Sequence, residues 1–435
     1  MKLKELKQII LKGGDKKTMK TKIKQEKGIT LIALVVTIVV LLILAGVSVN
    51  ALFGNSGIIE KAKEAQNKMD KATENDQKQI GELTNWLDNQ VNGTTGSDDN
   101  QTTLPKISTL VGTVVDKNTK AEDAYGNKIT IPKGFKILKH GTAAGSATYT
   151  YSGDNTPAVQ DGIVIENGTD GNQFVWVPVG TIKNKDNTTS TITLGRYSDF
   201  AAKNGVYTPA QVASVENCTQ EVTIDTYFKE LSTFREGNSA EDSTAQNATA
   251  RDLKTFIETS LANGGYYIAR FEASGTASKI TSKYNQTVFG DITQPNAAKA
   301  AREMYGEVKE NNELVYASDL VNSYAWDTAI IFIQTYSTET DASSYASKNK
   351  STSFSKTGIN NDKYCNIWDM SGNTCEWTTE YSTVFGNGMV DLHGCRGGFY
   401  ISDADEDELY TSNRVDEFQC APPRIRGLRP LLYVK

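Results

Sequence analysis

The chain of 435 residues, 38% of them hydrophobic, is long enough to bury a sizeable core and is not a disordered polymer. Its net charge of −6 is unevenly spread: Met1 to Gly28 holds ten lysines against Glu5, Asp15 and Glu26, a local +7 that leaves −13 for the remainder. An acidic body lacks the cationic footprint that phosphate backbones demand, which excludes nucleic acid as a partner. Five cysteines (Cys218, Cys365, Cys375, Cys395, Cys420) without a CxxC pair exclude a dense disulfide framework, and two histidines, His140 and His393, leave few ways to build a zinc site or a histidine-dependent triad.

From Ile29 to Val49 the chain runs ITLIALVVTIVVLLILAGVSV, twenty-one residues without a charge. At about 1.5 Å of rise per residue, a helix of this length crosses a bilayer core of ~30 Å. The lysine-rich flank belongs on the cytoplasmic side by the positive-inside rule, which places the C-terminal bulk outside. The run is longer than the apolar stretch of an ordinary signal peptide, and no A-x-A site follows it.

Lys27-Gly28 followed by this run resembles the N-terminus of type IV prepilins. The resemblance implies cleavage by a prepilin peptidase after Gly28, a mature chain beginning at Ile29, and contact with other pilin subunits. Where that family carries a glutamate at the fifth mature position, this chain has Ala33. No carboxylate is then available to pair with a neighbour's terminal amine in an apolar filament core, and the resemblance implies a minor or tip-located pilin, or a pseudopilin, rather than a bulk subunit. The resulting expectation is a single-pass cell-membrane protein, spanning with residues 29–51, pilus-associated, its C-terminal domain extracellular.

Ile58, Ala62, Ala65, Met69, Ala72, Ile80, Leu83, Leu87 and Val91 recur at three-and-four spacing and predict an amphipathic helix over 52–91. The tract NGTTGSDDNQTTLP, Asn92 to Pro105, reads as a linker. Beyond it, from 106 to 435, short β-branched runs such as KITIPKGFKIL and NGGYYIARFEASG alternate with Gly, Asn, Asp and Ser and predict strands and turns. Helices are predicted at Ala297 to Glu307 and at Ser323 to Tyr336, with a short one at Gln211 to Val215; Glu236 to Ala250 and Thr338 to Gly358 have the composition of exposed insertions. The fold class expected is α+β: a long N-terminal transmembrane and amphipathic helix, then a domain with irregular loops.

The segment NIWDMSGNTCEWTTE from Asn366, then CRGGFY at Cys395 to Tyr400 and RIRGLRPLLYVK at the end, resembles the formylglycine-generating enzymes, or sulfatase-modifying factors. QFVWVPVG at Gln173, GGYYIARFEAS at Gly264 and SDLVNSYAWDTAIIFI at Ser318 are similar to that family's earlier strands and main helix, in family order. The resemblance implies a C-type-lectin-like fold. It also matches Asp369 and Glu376, with the carbonyls of Gly372 and Thr374 between them, to calcium-coordinating positions, and hard oxygens around a glycine turn suit calcium. The other reading of Asp369 and Glu376 is that they accept backbone hydrogen bonds across the loop.

The family's oxidase needs two cysteines after the R-G-G segment to hold copper. Here the first position is Ser402 and the second falls at Glu406 or Asp407. Neither supplies a soft thiolate, so copper is not expected. Cys395 and Cys420 remain as a displaced pair, a structural disulfide, or buried thiols.

The window between Arg396-Gly397-Gly398 and Gly427-Leu428-Arg429-Pro430 also resembles the position of the diversified residues in variable proteins of diversity-generating retroelements. It offers Tyr400, Ser402, Asp403, Asp405, Asp407, Tyr410, Ser412, Asn413, Asp416, Phe418 and Arg424 as contacts for an external protein or glycan; a solvated loop with aromatics reaching the core is the alternative. The function expected is therefore binding, as an anchored adhesin or display protein. A structural minor pilin is the second reading, and formylglycine formation the third.

Overall fold

The computed structural model describes residues 104–138, 158–198, 208–216, 222–223, 228–230, 250–337, 353–360, 362–382, 392–398, 412, 414–418 and 426–435. They belong to the compact unit Thr102–Lys435.

Among the described residues two sheets dominate. An antiparallel seven-stranded sheet runs Glu307–Glu310, Glu313–Leu320, Pro430–Val434, Gly265–Ala269, Gln173–Pro178, Val164–Asn167 and Phe135–Ile137. The strands Gly265–Ala269 and Gln173–Pro178 are buried along their whole length, as expected of continuous apolar runs with both faces covered. Their register sets Tyr267 opposite Trp176, with ring centroids 4.9 Å apart and edge-on. The second sheet has six strands: Val222–Thr223, Phe228–Glu230, Cys375–Ser382, Leu392–Arg396 and Arg414–Phe418 in order, with Arg426–Leu428 parallel to Cys375–Ser382.

The helix Ser323–Tyr336 begins at Asn322, whose side chain accepts the Ala325 amide, and is buried from Ser323 to Gln334. A helix apolar on all sides must be enclosed, and this one touches Gln173–Pro178 of one sheet and Cys375–Ser382 of the other. Gln294–Glu303 is alanine-rich where it packs on Glu313–Leu320, since small side chains let a helix lie close to a strand. A third helix, Leu253–Asn263, is capped by Asp252 and ended by the left-handed Gly264.

Several expectations are corrected. The described domain is mostly β-sheet with few helices, not the helix-led α+β architecture expected. Against the single-pass placement, no helix among the described residues is long and apolar enough to cross a membrane; the apolar run 29–51, the predicted helix over 52–91, the linker up to Thr103, and Gly28 and Ile29 lie outside the described residues. The helix expected at Gln211 to Val215 is a two-residue strand, Gln211–Val212, because so short a segment follows its neighbour Gly195–Arg196. Ala297 to Glu307 ends early, at Glu303, and Glu307 starts a strand after Gly306 at φ +67°.

Candidate functional site

The segment from Cys365 to Asn373 is tightly wound: Cys365, Asn366, Asp369, Gly372 and Asn373 all have φ between +45° and +70°. Non-glycine residues hold such angles only where the surroundings fix them. Asn366 is fixed through its side-chain amide, which donates to the carbonyls of Asp161 and Gly162 at 2.8 Å, and the stretch from Asp369 onward by ionic groups. Arg429, fully buried, donates through Nε to Glu376 Oε2 at 3.0 Å, lies 2.8 Å through Nη2 from Oε1, and also donates to the carbonyls of Ala269 and Asp369. Glu272 accepts the Thr374 amide at 2.9 Å, its hydroxyl at 2.6 Å, and the Asn373 side-chain amide. Asp362 accepts the Asp369 amide at 3.0 Å, and Asp369 accepts the Gly358 amide at 2.7 Å.

Four carboxylates, each at most 2% exposed, thus surround one guanidinium. Burial pushes the Glu376 carboxyl up to about 7 against the pull of Arg429, and burial together with the Asp369 and Glu376 charges drives Glu272 well above the usual carboxylate range.

This arrangement does not fit a calcium ion held by Asp369, Gly372, Thr374 and Glu376. Both Glu376 oxygens face the Arg429 guanidinium, which already neutralises them, and Asp369 keeps one oxygen, Oδ1, without a hydrogen-bond partner. Among the described residues no three His, Cys, Asp or Glu side chains are grouped to hold a metal. A calcium ion needs six to eight oxygens. The melting temperature is therefore expected to stay within about 1 °C between millimolar calcium and excess chelator, since an ion that binds the native state raises it by mass action; a rise of several degrees in calcium would refute the arrangement.

A second buried ionic cluster lies behind the strands Leu392–Arg396 and Arg414–Phe418. Their register sets Arg396 opposite Arg414. Asp327, from the helix Ser323–Tyr336, accepts Arg396 Nη2 on Oδ1 at 2.6 Å, and on Oδ2 accepts Arg414 Nη2 at 2.9 Å and the Tyr197 amide at 2.8 Å. Glu380 accepts Arg414 Nε at 3.0 Å on one oxygen and Arg196 on the other.

Glu380 sits where the pairing of Cys375–Ser382 with Leu392–Arg396 shifts register between Trp377 and Tyr381, a bulge that re-aims its side chain. Burial alone raises its carboxyl, but the guanidiniums of Arg414, Arg196 and Arg396 outweigh that and hold it below its ordinary value. Glu230 completes the cluster, accepting the Ser323 amide at 3.0 Å, its hydroxyl at 2.8 Å and the Thr379 hydroxyl. Burial, offset in part by Arg196, pushes it up to about 7.

Of the contact residues expected from sequence, Ser412 is half-buried, Asp416 pairs with Gly394, and Phe418 pairs with Leu392 at the end of the edge strand. Tyr400, Ser402, Asp403, Asp405, Asp407, Tyr410, Asn413 and Arg424 lie outside the described residues. Cys375 and Cys395 are fully buried in neighbouring strands, and Cys365 is half-buried; Cys218 and Cys420 lie outside the described residues.

Sequence reasoning missed Asp327, Glu380, Glu230 and Arg414. The signal for Asp327 was present: one carboxylate in the otherwise apolar SYAWDTAIIFI must find a cation once that helix is enclosed.

No protein-family model matches the chain, and no curated protein does. Among solved structures the chain is similar to the crystal structure of CarF, at 14% identity over 39% of this chain and 87% of that one, with a TM-score of 0.28. It is also similar to Treponema denticola variable protein 1, at 11% identity over 73% of this chain and 99% of that one, with a TM-score of 0.23.

Proposed function

We propose that the domain binds a ligand rather than transforming one, and that its contact face is mounted on the strand pair Leu392–Arg396 and Arg414–Phe418. The observation that carries this reading is the anchoring of Arg414. This arginine lies inside a window of polar and aromatic loop composition, yet its side chain is only 11% exposed and is tied to Asp327 and Glu380 from behind. Loops set on a rigid framework are where recognition residues concentrate. Tyr400, Tyr410 and Phe418 among small polar residues are suited to a protein or glycan, because they offer large contact area at low entropy cost.

Catalysis of the formylglycine type is disfavoured by the same framework. Cys395 is fully buried opposite Trp377, and Cys375 is fully buried opposite Arg426. A thiol withheld from solvent in apolar surroundings is inert.

The window's position between Arg396-Gly397-Gly398 and Gly427-Leu428-Arg429-Pro430 supports a diversified face. Deep sequencing of the codons for Arg396 to Pro430 across the source population is expected to show substitutions concentrated at adenines, with Arg396, Arg414 and Arg429 constant. A uniform window would end the diversification reading and leave a binder of one fixed ligand. Conversion of a cysteine peptide to formylglycine by the purified chain would sink the binding reading itself.

A further inference from the structure

Arg396 and Arg414 face each other across an antiparallel pair, where Cβ atoms lie roughly 4.5–5.5 Å apart and like charges oppose pairing. Arg396 carries the mark of this: burial first, and the Arg414 charge second, lower its guanidinium to about 10. A strand pair with two such residues in register needs a counter-charge between them.

Asp327 supplies it, with one carboxylate oxygen on each arginine and no exposure to solvent. Glu380 holds Arg414 from Cys375–Ser382, the strand on the far side of Leu392–Arg396, and the Arg396 guanidinium lies 5.9 Å from the Trp326 ring centroid. The next residue, Gly397, leaves no room for a side chain: at φ +84° an added Cβ would meet the Met370 carbonyl at 3.0 Å and Trp326 at 3.1 Å.

We propose that Asp327 is the positioning residue of the binding face: its bridge between Arg396 and Arg414 sets how the two strands lie against each other and against the helix Ser323–Tyr336. This deepens the binding reading and rests on it for its functional meaning. The bridge makes Arg414 a framework residue within the window, excluded from ligand contact, and it makes the strand pair conditional on a charge that comes from a different layer of the domain. A carboxylate bridging two arginines, rather than an apolar contact, also makes the pairing specific to this register, because a slip by one residue would leave Arg396 opposite Val415 or Arg414 opposite Cys395.

The test is hydrogen exchange on the full chain, read without any ligand, so that its failure and the failure of the binding reading are separate results. Asp327→Asn keeps the shape and removes the charge. It is expected to speed amide exchange in Leu392–Arg396 and Arg414–Phe418 at least tenfold while leaving Gly265–Ala269 and Pro430–Val434 unchanged. Adding Arg414→Gln to that variant removes the like-charge pair and is expected to recover most of the lost protection. Should Asp327→Asn fail to fold, Arg414→Gln alone, at a partly exposed site, is expected to loosen the same two strands and no others. Unchanged exchange in those strands, equal loosening of both sheets, or a double variant no better than Asp327→Asn would each overturn the assignment.

Discussion

Arg429→Met is expected to destabilise the domain by about 3–5 kcal/mol, the usual consequence of removing one partner from a buried ion pair. The magnitude follows from what is left behind. Glu376 would lose both contacts to its oxygens, the carbonyls of Ala269 and Asp369 would lose their donor, and Glu272, Asp362, Asp369 and Glu376 would share an interior without a cation. Arg429→Lys is expected to recover only part of the loss, because an ammonium cannot reproduce the planar fork that meets Glu376 while also reaching two carbonyls. Urea midpoints of the three proteins measure this. A cost below about 1 kcal/mol for Arg429→Met would mean that another cation balances the cluster.

Elements whose cause is local were legible in the sequence. The helix Ser323–Tyr336 has the bounds its composition predicts, because Asn322 caps it and the apolar run continues to Tyr336. The runs QFVWVPVG and GGYYIARFEAS form the strands Gln173–Pro178 and Gly265–Ala269, paired with each other. Leu253–Asn263 was missed although Asp252 and Gly264 mark its ends, since the threonines and polar residues between them dilute the apolar period.

The sites were less legible because their members are distant in sequence. Asp369 and Glu376 read as a short oxygen-rich loop suited to an ion. The guanidinium that meets them arrives from Arg429, carried there by the parallel pairing of Arg426–Leu428 with Cys375–Ser382. Arg414 and Asp327 are likewise far apart in the chain, and only the enclosure of Asp327 in a buried helix hinted that it had a partner. Tertiary pairing therefore decided both clusters.

The two clusters meet on one strand. Glu376 and Glu380 both belong to Cys375–Ser382, the first held by Arg429 and the second by Arg196 and Arg414. That strand lies beside the helix Ser323–Tyr336 and pairs with Leu392–Arg396. A change in charge at either end is therefore expected to reach the proposed binding face through the strand, not through solvent.

Glu230 makes that dependence measurable: stability is expected to fall as pH rises from about 4.5 to about 7, the interval between the ordinary carboxyl value and its value in the fold. Because the folded carboxyl binds its proton more tightly than the unfolded one, the full contribution is present below the lower value and is lost as pH climbs through the upper one. With each unit equivalent to about 1.4 kcal/mol, the loss is on the order of 3 kcal/mol, and full burial leaves little solvent screening to reduce it. Glu230→Gln can still accept the Ser323 donors and meet the Thr379 hydroxyl, so it is expected to remove this share of the fall, leaving the share of Glu376, whose carboxyl is likewise raised to about 7, and to stabilise the domain at pH 8 relative to pH 5 when each is compared with wild type. Denaturant midpoints across pH 4.5 to 8 provide the measurement. If the two proteins share the same pH dependence, Glu230 is ionised throughout, and the guanidinium of Arg196 outweighs its burial.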